Sequence, residues 1–135
     1  MIKKPTGIIK LRSNQEFLNT LEEIIRQSNE TASPSPQNSH AVALITFLST
    51  DKGGRSKPVQ SGYRGQFYYD GKDWDAVQQY ADAEWVYPGQ TVKAYLWFLS
   101  PEAHHGLLYP GKDFDVREGD QIIAHGIITA IAETF

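Results

Sequence analysis

The residues whose types and spacing most suggest chemistry form the segment GLLYPGKD at positions 106–113. Its G-x-x-x-x-G-K spacing is that of a phosphate-binding loop, in which backbone N–H groups hold the phosphates and a following Ser or Thr binds magnesium. Asp113 stands at that last position and would place a carboxylate beside the phosphates. Pro110 and the strand-like FDV that follows do not fit a loop that leads into a helix. We therefore expect no GTP site here and no cofactor.

A second segment, GGRSKPVQSGYRGQFYY at positions 53–69, mixes glycines and basic side chains with aromatic ones. Such a mixture suits a phosphate cradle, a nucleic-acid contact or a hairpin. The glycines are spaced for turns and lead into an aromatic strand rather than a helix, which argues against the phosphate cradle. A hairpin that contacts RNA or a protein is the interpretation we keep.

Other residue types that could carry chemistry lack partners at the required spacing. The adjacent His104 and His105 have no H-x-x-x-H or carboxylate companion, so we expect a surface loop rather than a metal site. The sequence contains no G-x-S-x-G and no cysteine. An acidic run lacks the calcium-loop pattern and predicts a solvated turn; its members are Asp70, Asp73, Asp75 and Asp82. We predict a protein that is not an enzyme and binds no metal.

Size and charge narrow the function classes further. The 135 residues, 40% hydrophobic and 21% charged, suffice for one ordinary core. A net charge of −3 argues against a partner held mainly by phosphate neutralisation, although it does not exclude a local basic patch. No segment has the apolar length of a signal peptide or a membrane span, so we expect a cytoplasmic protein without a membrane partner.

The N-terminal part predicts an arm in front of the main domain. Residues 13–27 combine an S-x-x-E capping box at Ser13 and Glu16 with an apolar stripe on one helical face. That stripe either packs on the main domain or docks a partner. Its members are Phe17, Leu18, Leu21, Ile24 and Ile25.

From residue 40 onward, short apolar or aromatic runs alternate with Gly, Pro and Asp, which predicts an antiparallel sandwich or closed barrel. We expect an N-terminal strand and amphipathic helix over 1–29, a Ser/Pro linker over 30–39 and a barrel over 40–135. A short strand is predicted near residues 7–11. The predicted barrel strands, the last either continuous or split near Gly126, are AVALITFLS (41–49), YRGQFYY (63–69), AEWVY (83–87), TVKAYLWFLS (91–100), FDVRE (114–118) and QIIAHGIITAIAE (121–133).

Four motifs in the barrel region carry a resemblance to a known family. GGRSKP, SGYRGQFYY, VYPGQTVK and FDVREGDQIIAHGIITAI occur in the order of the third domain of translation elongation factor Tu. Over residues 41–132 the chain resembles that C-terminal domain. The resemblance implies an all-β fold, a six-stranded antiparallel Greek-key barrel. It also implies that the GTPase activity is missing, because the nucleotide motifs of the GTPase domain have no counterpart in this sequence.

In that family the barrel touches the T-stem of aminoacyl-tRNA, and the resemblance assigns this contact to particular positions. Arg55, Gln66 and the pair Glu118 and Gly119 match family residues. The expected RNA- or partner-binding set also contains the neighbouring cations Lys57, Arg64 and Arg117. Several positions depart from the family, and the carboxylates among them would repel phosphate; they are Ser56, Gly65, Asp70, Asp75, Asp120 and Gln121.

Two functions follow from this resemblance. The first is a non-catalytic module that binds a protein, either a translation component or a toxin that targets elongation factor Tu. The second is an RNA-binding protein that contacts the tRNA T-stem or elbow. A purely structural role for the matched residues also stays open, because the glycines suit tight turns and Arg64 and Arg117 could form ion pairs within the barrel.

Overall fold

The computed structural model of the chain describes residues 8–9, 38–133 and 135. Within these residues the regular elements are nine strands and two 3-10 helices, Thr50–Lys52 and Pro101–His104. The strands are β1 (Ile8–Ile9), β2 (Ala41–Phe47), β3 (Val59–Gln60), β4 (Tyr63–Tyr69), β5 (Lys72–Tyr80), β6 (Trp85–Val86), β7 (Thr91–Phe98), β8 (Asp113–Glu118) and β9 (Gln121–Ile131).

Six of these strands close into an antiparallel barrel. Each pairs with two neighbours around the ring, in the order β2, β7, β5, β4, β8, β9 and back to β2. The consecutive barrel strands β4, β5 and β7 lie side by side, and β2 pairs with β7 rather than with β4, which is a Greek-key connection. The predicted all-β, six-stranded antiparallel barrel is therefore confirmed.

The barrel has two ends, which matter for function. At the end that we call the site rim, β4, β7 and β9 begin and β2, β5 and β8 end. At the opposite end, the far rim, the directions are reversed. Because all barrel pairs are antiparallel, loops from distant parts of the sequence meet at each rim.

Aromatic rings and small aliphatic side chains share the barrel interior. Alternation along each strand points every second side chain inward. From β2 come small or aliphatic residues such as Ala43 and Ile45, whereas β4 and β8 contribute rings. Phe67 stacks on Phe114 with ring centroids 4.1 Å apart and meets Phe98 edge-on at 4.9 Å. This closely packed interior holds the two rims in fixed positions.

The sequence-based prediction is wrong for β5. Its segment, Lys72–Tyr80, contains two members of the acidic run that predicted a solvated turn, and both of them, Asp73 and Asp75, lie on a strand of nine residues. The carboxylates lie on the outer face and alternate with Trp74, which is partly buried, and Ala76, which is buried; because the outer face is polar, the sequence did not indicate a strand here. Asp70 and Gly71 form the turn before β5, with φ values of 50° and 79°, and Asp82, with a φ of 57°, lies in the turn after it, so the prediction is correct for Asp70 and Asp82.

The strand predicted over residues 83–87 is also not part of the barrel. In its place a strand of two residues, β6, pairs with β3 outside the ring. Val86 is buried there, whereas Trp85 and Tyr87 are 44% and 53% exposed. The aromatic residues that predicted a barrel strand therefore lie in or beside a short two-stranded ribbon at the surface.

Strand β9 runs without a break through Gly126. A Cβ atom at this position would lie 2.3 Å from Cζ of the Phe114 ring. The glycine therefore leaves space for a core ring of the neighbouring strand and does not interrupt the ladder.

His104 is not in a surface loop, contrary to the prediction. It ends the helix Pro101–His104 at the far rim and is fully buried. Its Nδ1 lies 2.6 Å from the hydroxyl oxygen of Tyr69, and its ring centroid lies 4.6 Å from that of Phe98. Burial lowers the pKa of His104 to about 4. His105, in contrast, is exposed.

Strand β1 extends the sheet beside the first residues of β7. Ile8 is paired with Val92 and Ile9 with Thr91. The helix predicted over 13–27 and most of the linker predicted over 30–39 lie outside the described residues. Among the described residues, no helix has the length and apolar character needed to cross a membrane.

Candidate binding surface at the site rim

The predicted binding residues come from three segments that meet at or near the site rim. The loop between β2 and β3 and the turn after β8 approach each other there, and β4 with β8 forms the adjoining outer wall of the barrel. The structure brings Arg55, Lys57 and Glu118 together at the rim. It places the other four residues along the wall and its turn, namely Arg64, Gln66, Arg117 and Gly119.

The centre of the rim is a cluster of Arg55, Glu118 and Tyr63. The Arg55 guanidinium donates to Oε2 of Glu118, and the Tyr63 hydroxyl donates to the same oxygen at 2.6 Å. The guanidinium carbon also lies 5.8 Å from the centre of the Tyr63 ring. Burial, together with the Glu118 carboxylate, raises the pKa of Tyr63, so the phenol stays protonated and remains a donor. The Glu118 carboxylate thus accepts hydrogen bonds from two donors, one in the loop between β2 and β3 and one on β4.

The loop that carries Arg55 is fixed by its own contacts. The side-chain amide of Gln121 donates to the carbonyl oxygen of Gly53 at 2.6 Å. A Cβ atom on Gly54 would lie 2.1 Å from the carbonyl oxygen of Leu48, so only glycine allows this close approach of backbone. The loop is therefore held in place before any partner binds.

Beside the cluster lies an open concavity of about 410 Å³ with a polar surface. Lys57 is exposed there, and its side chain forms no ion pair with the described residues. Its backbone carbonyl accepts from Nε of Arg55 at 3.2 Å, which further orients the guanidinium. The lining residues are Gly54, Arg55, Ser56, Lys57, Glu118 and Gln121.

On the adjoining wall, Arg117 is surrounded by acceptors of its own chain. Its guanidinium lies 3.6 Å from Oδ1 of Asp73 and 3.8 Å from Oδ1 of Asp120. It also donates to the carbonyl oxygen of Gly119 at 3.3 Å and lies 4.5 Å above the Tyr68 ring. These contacts hold the Arg117 guanidinium against the barrel wall, where the side chain is partly buried.

Gln66 and Arg64 lie on the same outer face of β4. In the sheet register Gln66 stands between Asp75 of β5 and Arg117 of β8. Its side-chain carbonyl oxygen is buried and accepts no hydrogen bond from the described residues. Arg64 is exposed and pairs with Asp75 at 3.4 Å. The interpretation that Arg64 and Arg117 form ion pairs within the barrel therefore describes both residues correctly.

The electrostatic result is a surface without excess positive charge. The surface carries four basic side chains, Arg55, Lys57, Arg64 and Arg117, and four carboxylates. All of these basic side chains except Lys57 form ion pairs with the carboxylates. The carboxylates are Asp73, Asp75, Glu118 and Asp120.

Three further residues belong to this surface although the sequence did not single them out as binding residues. Tyr63 begins β4 on its inner side, so its hydroxyl reaches the end of β8. Gln121 holds the loop after β2, and Tyr68 lies under Arg117. The alternation of β4 predicts which way Tyr63 and Tyr68 point, but their partners are known only once the barrel is closed.

The surface offers hydrogen bonds, ion pairs and aromatic contacts rather than reaction chemistry. Within residues 8–9, 38–133 and 135, no group of three or more His, Asp or Glu residues could hold a metal ion. The segment 106–113 turns at Gly106 and Gly111, where φ is positive, and leads into β8 rather than a helix, as the sequence predicted. Recognition of another molecule is the role that this arrangement can perform.

Comparison with families of known proteins gives a match that covers the barrel. Residues 34–132 match the model of the family described as "Elongation factor Tu C-terminal domain". The matched range includes all six barrel strands, the rim loop and the β8–β9 turn.

Proposed function

We propose, from the premise that the chain belongs to the elongation factor Tu C-terminal domain family, that it is a protein-binding module whose site rim contacts its partner. Domains of this family are non-catalytic barrels that serve as binding modules in translation. The proposed partner is a translation component or a toxin that targets elongation factor Tu, because either would encounter a barrel of this kind. The observation that carries the proposal is the pairing of Arg55 with Glu118.

This pairing makes the rim a poor receptor for phosphate. A phosphate group that approached Arg55 would have to displace Glu118, whose carboxylate also accepts from Tyr63. It would then lie close to that negative charge, and like charges at such distances repel. The ion pairs of Arg64 and Arg117 extend the same pattern along the wall. A binding mode that relies on counterion release therefore has few free cations to use.

A protein partner suits the same surface. Arginine and tyrosine are enriched at the centres of protein interfaces, where they combine a polar end with a large contact area. The rim presents Arg55 and Tyr63 in a cluster that is already hydrogen-bonded. Because Gln121 and Gly54 fix the loop beforehand, binding would cost little conformational entropy.

RNA binding is the second candidate, and one observation favours it. Lys57 is exposed beside the concavity and has no ion pair within the described part of the chain. A single phosphate could be held there by the Lys57 ammonium and the Gln121 amide. This contact would be weak, because one cation supplies only a small part of a usual phosphate interface.

A titration of labelled tRNA separates the two candidates. Lys57→Ala removes the cation of the concavity that has no ion pair among the described residues, and Lys72→Ala is its matched control, since Lys72 carries the same charge at the far rim. At about 150 mM salt we expect dissociation constants no tighter than the roughly 1 to 100 μM of non-specific binding, with both variants alike. Submicromolar binding that is lost in Lys57→Ala, kept in Lys72→Ala and strengthened by Glu118→Gln would support RNA and overturn the proposal.

Quantitative affinity purification tests for the protein partner. The full chain, kept at its natural abundance in the native host, is purified together with the proteins bound to it. Arg55→Ala disrupts the centre of the rim, and Lys72→Ala again serves as the control. We expect at least one translation-associated protein to be retained by the wild type and by Lys72→Ala and to be lost with Arg55→Ala. Identical partner lists for the two variants would refute a role of the rim. Circular dichroism of both variants excludes unfolding as the cause.

A further inference from the structure

Strand β2 is buried on both of its faces, although one face points away from the barrel interior. Its inward residues, among them Ala43 and Ile45, belong to the core cluster. The alternate residues Val42 and Leu44 are 3% and 0% exposed and are not part of that cluster. The outer wall of a small barrel normally carries polar residues in contact with water. The burial of Leu44 therefore requires a cover over this side of the sheet.

The neighbours of Leu44 define the surface that must be covered, which we call the outer wall patch. In register, Leu44 stands between Lys93 of β7 and Ile127 of β9. Val42 stands between Tyr95 and Ala130 on the same two strands. All four neighbours are partly buried as well. The outer wall patch consists of Val42, Leu44, Tyr95, Ile127 and Ala130, and burial raises the pKa of Tyr95.

We propose that the outer wall patch is the docking site of the chain's own residues 13–27, which lie across it as an amphipathic helix. The ends of the adjacent described segments support this occupant. β1 runs toward the site rim and ends at Ile9, opposite Thr91. The described chain resumes at Asn38 near the far rim, just before β2. A segment that connects Ile9 to Asn38 along the outside of the barrel would pass from one rim to the other, as the proposal requires.

The length of the segment matches this path. From Thr91 to Phe98, β7 covers about 23 Å at the usual rise of a strand. A helix over residues 13–27 would be about 22 Å long. It would begin near the site rim and reach the far rim, where residues 28–37 would return the chain to Asn38. No other segment of the sequence outside the described residues combines this length with an apolar stripe.

The composition of the segment matches the patch. Its stripe of Phe17, Leu18, Leu21, Ile24 and Ile25 is aliphatic and aromatic, like the patch itself. The opposite side carries charged and amide side chains that suit contact with water. The proposal assigns the stripe to an intramolecular contact, so it leaves the site rim as the surface for an external partner.

The absence of cysteine allows a direct test by thiol labelling of single-cysteine variants of the full chain. Leu44→Cys reports on the outer wall patch, and Ala43→Cys, its neighbour, reports on the barrel interior. We expect both thiols to react slowly with a maleimide in the otherwise unchanged protein. Adding Leu21→Asp places a charge in the stripe and should speed labelling at position 44 by about tenfold or more, while position 43 stays protected.

A matched control and four contrary outcomes complete the test. Gln27→Asp adds the same charge on the polar side of the segment and should leave labelling at position 44 slow. Fast labelling at 44 without Leu21→Asp, or no effect of Leu21→Asp, would overturn the proposal. Labelling that accelerates on dilution, with dimers seen by sedimentation, would assign the patch to a second copy instead. Protection that appears only with an added partner protein would assign it to that partner.

Discussion

The buried imidazole of His104 makes the stability of the barrel depend on pH in a calculable way. Its Nδ1 shares a hydrogen bond with Tyr69, while Nε2 has no hydrogen-bond partner among the described residues. The ring is packed against Phe98 and Trp74, with centroids 4.6 and 4.7 Å away. A second proton on the ring would therefore place a charge in an apolar site where the described residues offer it no acceptor.

The size of the effect follows from the pKa values of the two states. Burial lowers the pKa of His104 from 6.5 to about 4; Glu102 opposes this shift, and His40 and His105 add to it. Below pH 6.5 the unfolded chain binds a proton that the folded chain does not accept until about pH 4. The free energy of unfolding therefore falls as the pH is lowered through this window. Between pH 7 and pH 5 the loss due to His104 should be about 1 to 2 kcal/mol.

Urea denaturation at pH 7 and pH 5 measures this loss, and His104→Asn isolates it. Asparagine can replace Nδ1 as the partner of Tyr69 but does not titrate. We expect the wild type to lose about 1 to 2 kcal/mol more than the variant between the two pH values, which is on the order of 1 M in urea midpoint. His40, whose pKa is also lowered by burial, is present in both proteins and cancels in the difference. Equal losses in the two proteins would refute the argument.

Further predictions concern the core and the rim. Gly126→Ala should destabilise by about 1 to 3 kcal/mol, because its Cβ would lie 2.3 Å from the Phe114 ring; an unchanged urea midpoint would contradict this close contact. Phe67→Ala should cost about 3 to 5 kcal/mol in thermal or urea denaturation, since it leaves a cavity among the core aromatic rings; a cost below that of an ordinary surface substitution would be inconsistent with its buried position. Glu118→Gln should cost only about 0.5 to 1.5 kcal/mol, because the pair with Arg55 is partly solvated; a larger loss would mean that the cluster is more important for folding than its exposure implies.

Local patterns in the sequence were sufficient for most of the barrel. Alternation with period two identifies the inward residues of β7, where Val92, Ala94, Leu96 and Phe98 are all buried. The same rule failed for β5, because its outer face carries aspartates that resemble a turn. In that strand the deciding information is the register with β4 and β7, which a single segment does not contain.

For the candidate binding surface, too, the sequence predicted some features and not others. The residue types at Arg55, Gln66 and Glu118 could be matched to a family by their motifs, and the loop glycines by their turns. Their chemistry could not be predicted, because an arginine that is free to bind phosphate and one that is paired look alike in a sequence. Arg55 and Glu118 are 63 positions apart and meet only when β8 ends at the site rim.

The sequence by itself determined the all-β class, most of the turn positions, the family and the absence of a phosphate-loop context, since each depends on neighbouring residues or on short motifs. Only the tertiary structure decided which charges neutralise each other, that His104 is buried and that Leu44 is buried although it does not belong to the core cluster. The physical reason is that pairing and burial depend on the closure of the barrel, which brings segments more than 50 residues apart into contact.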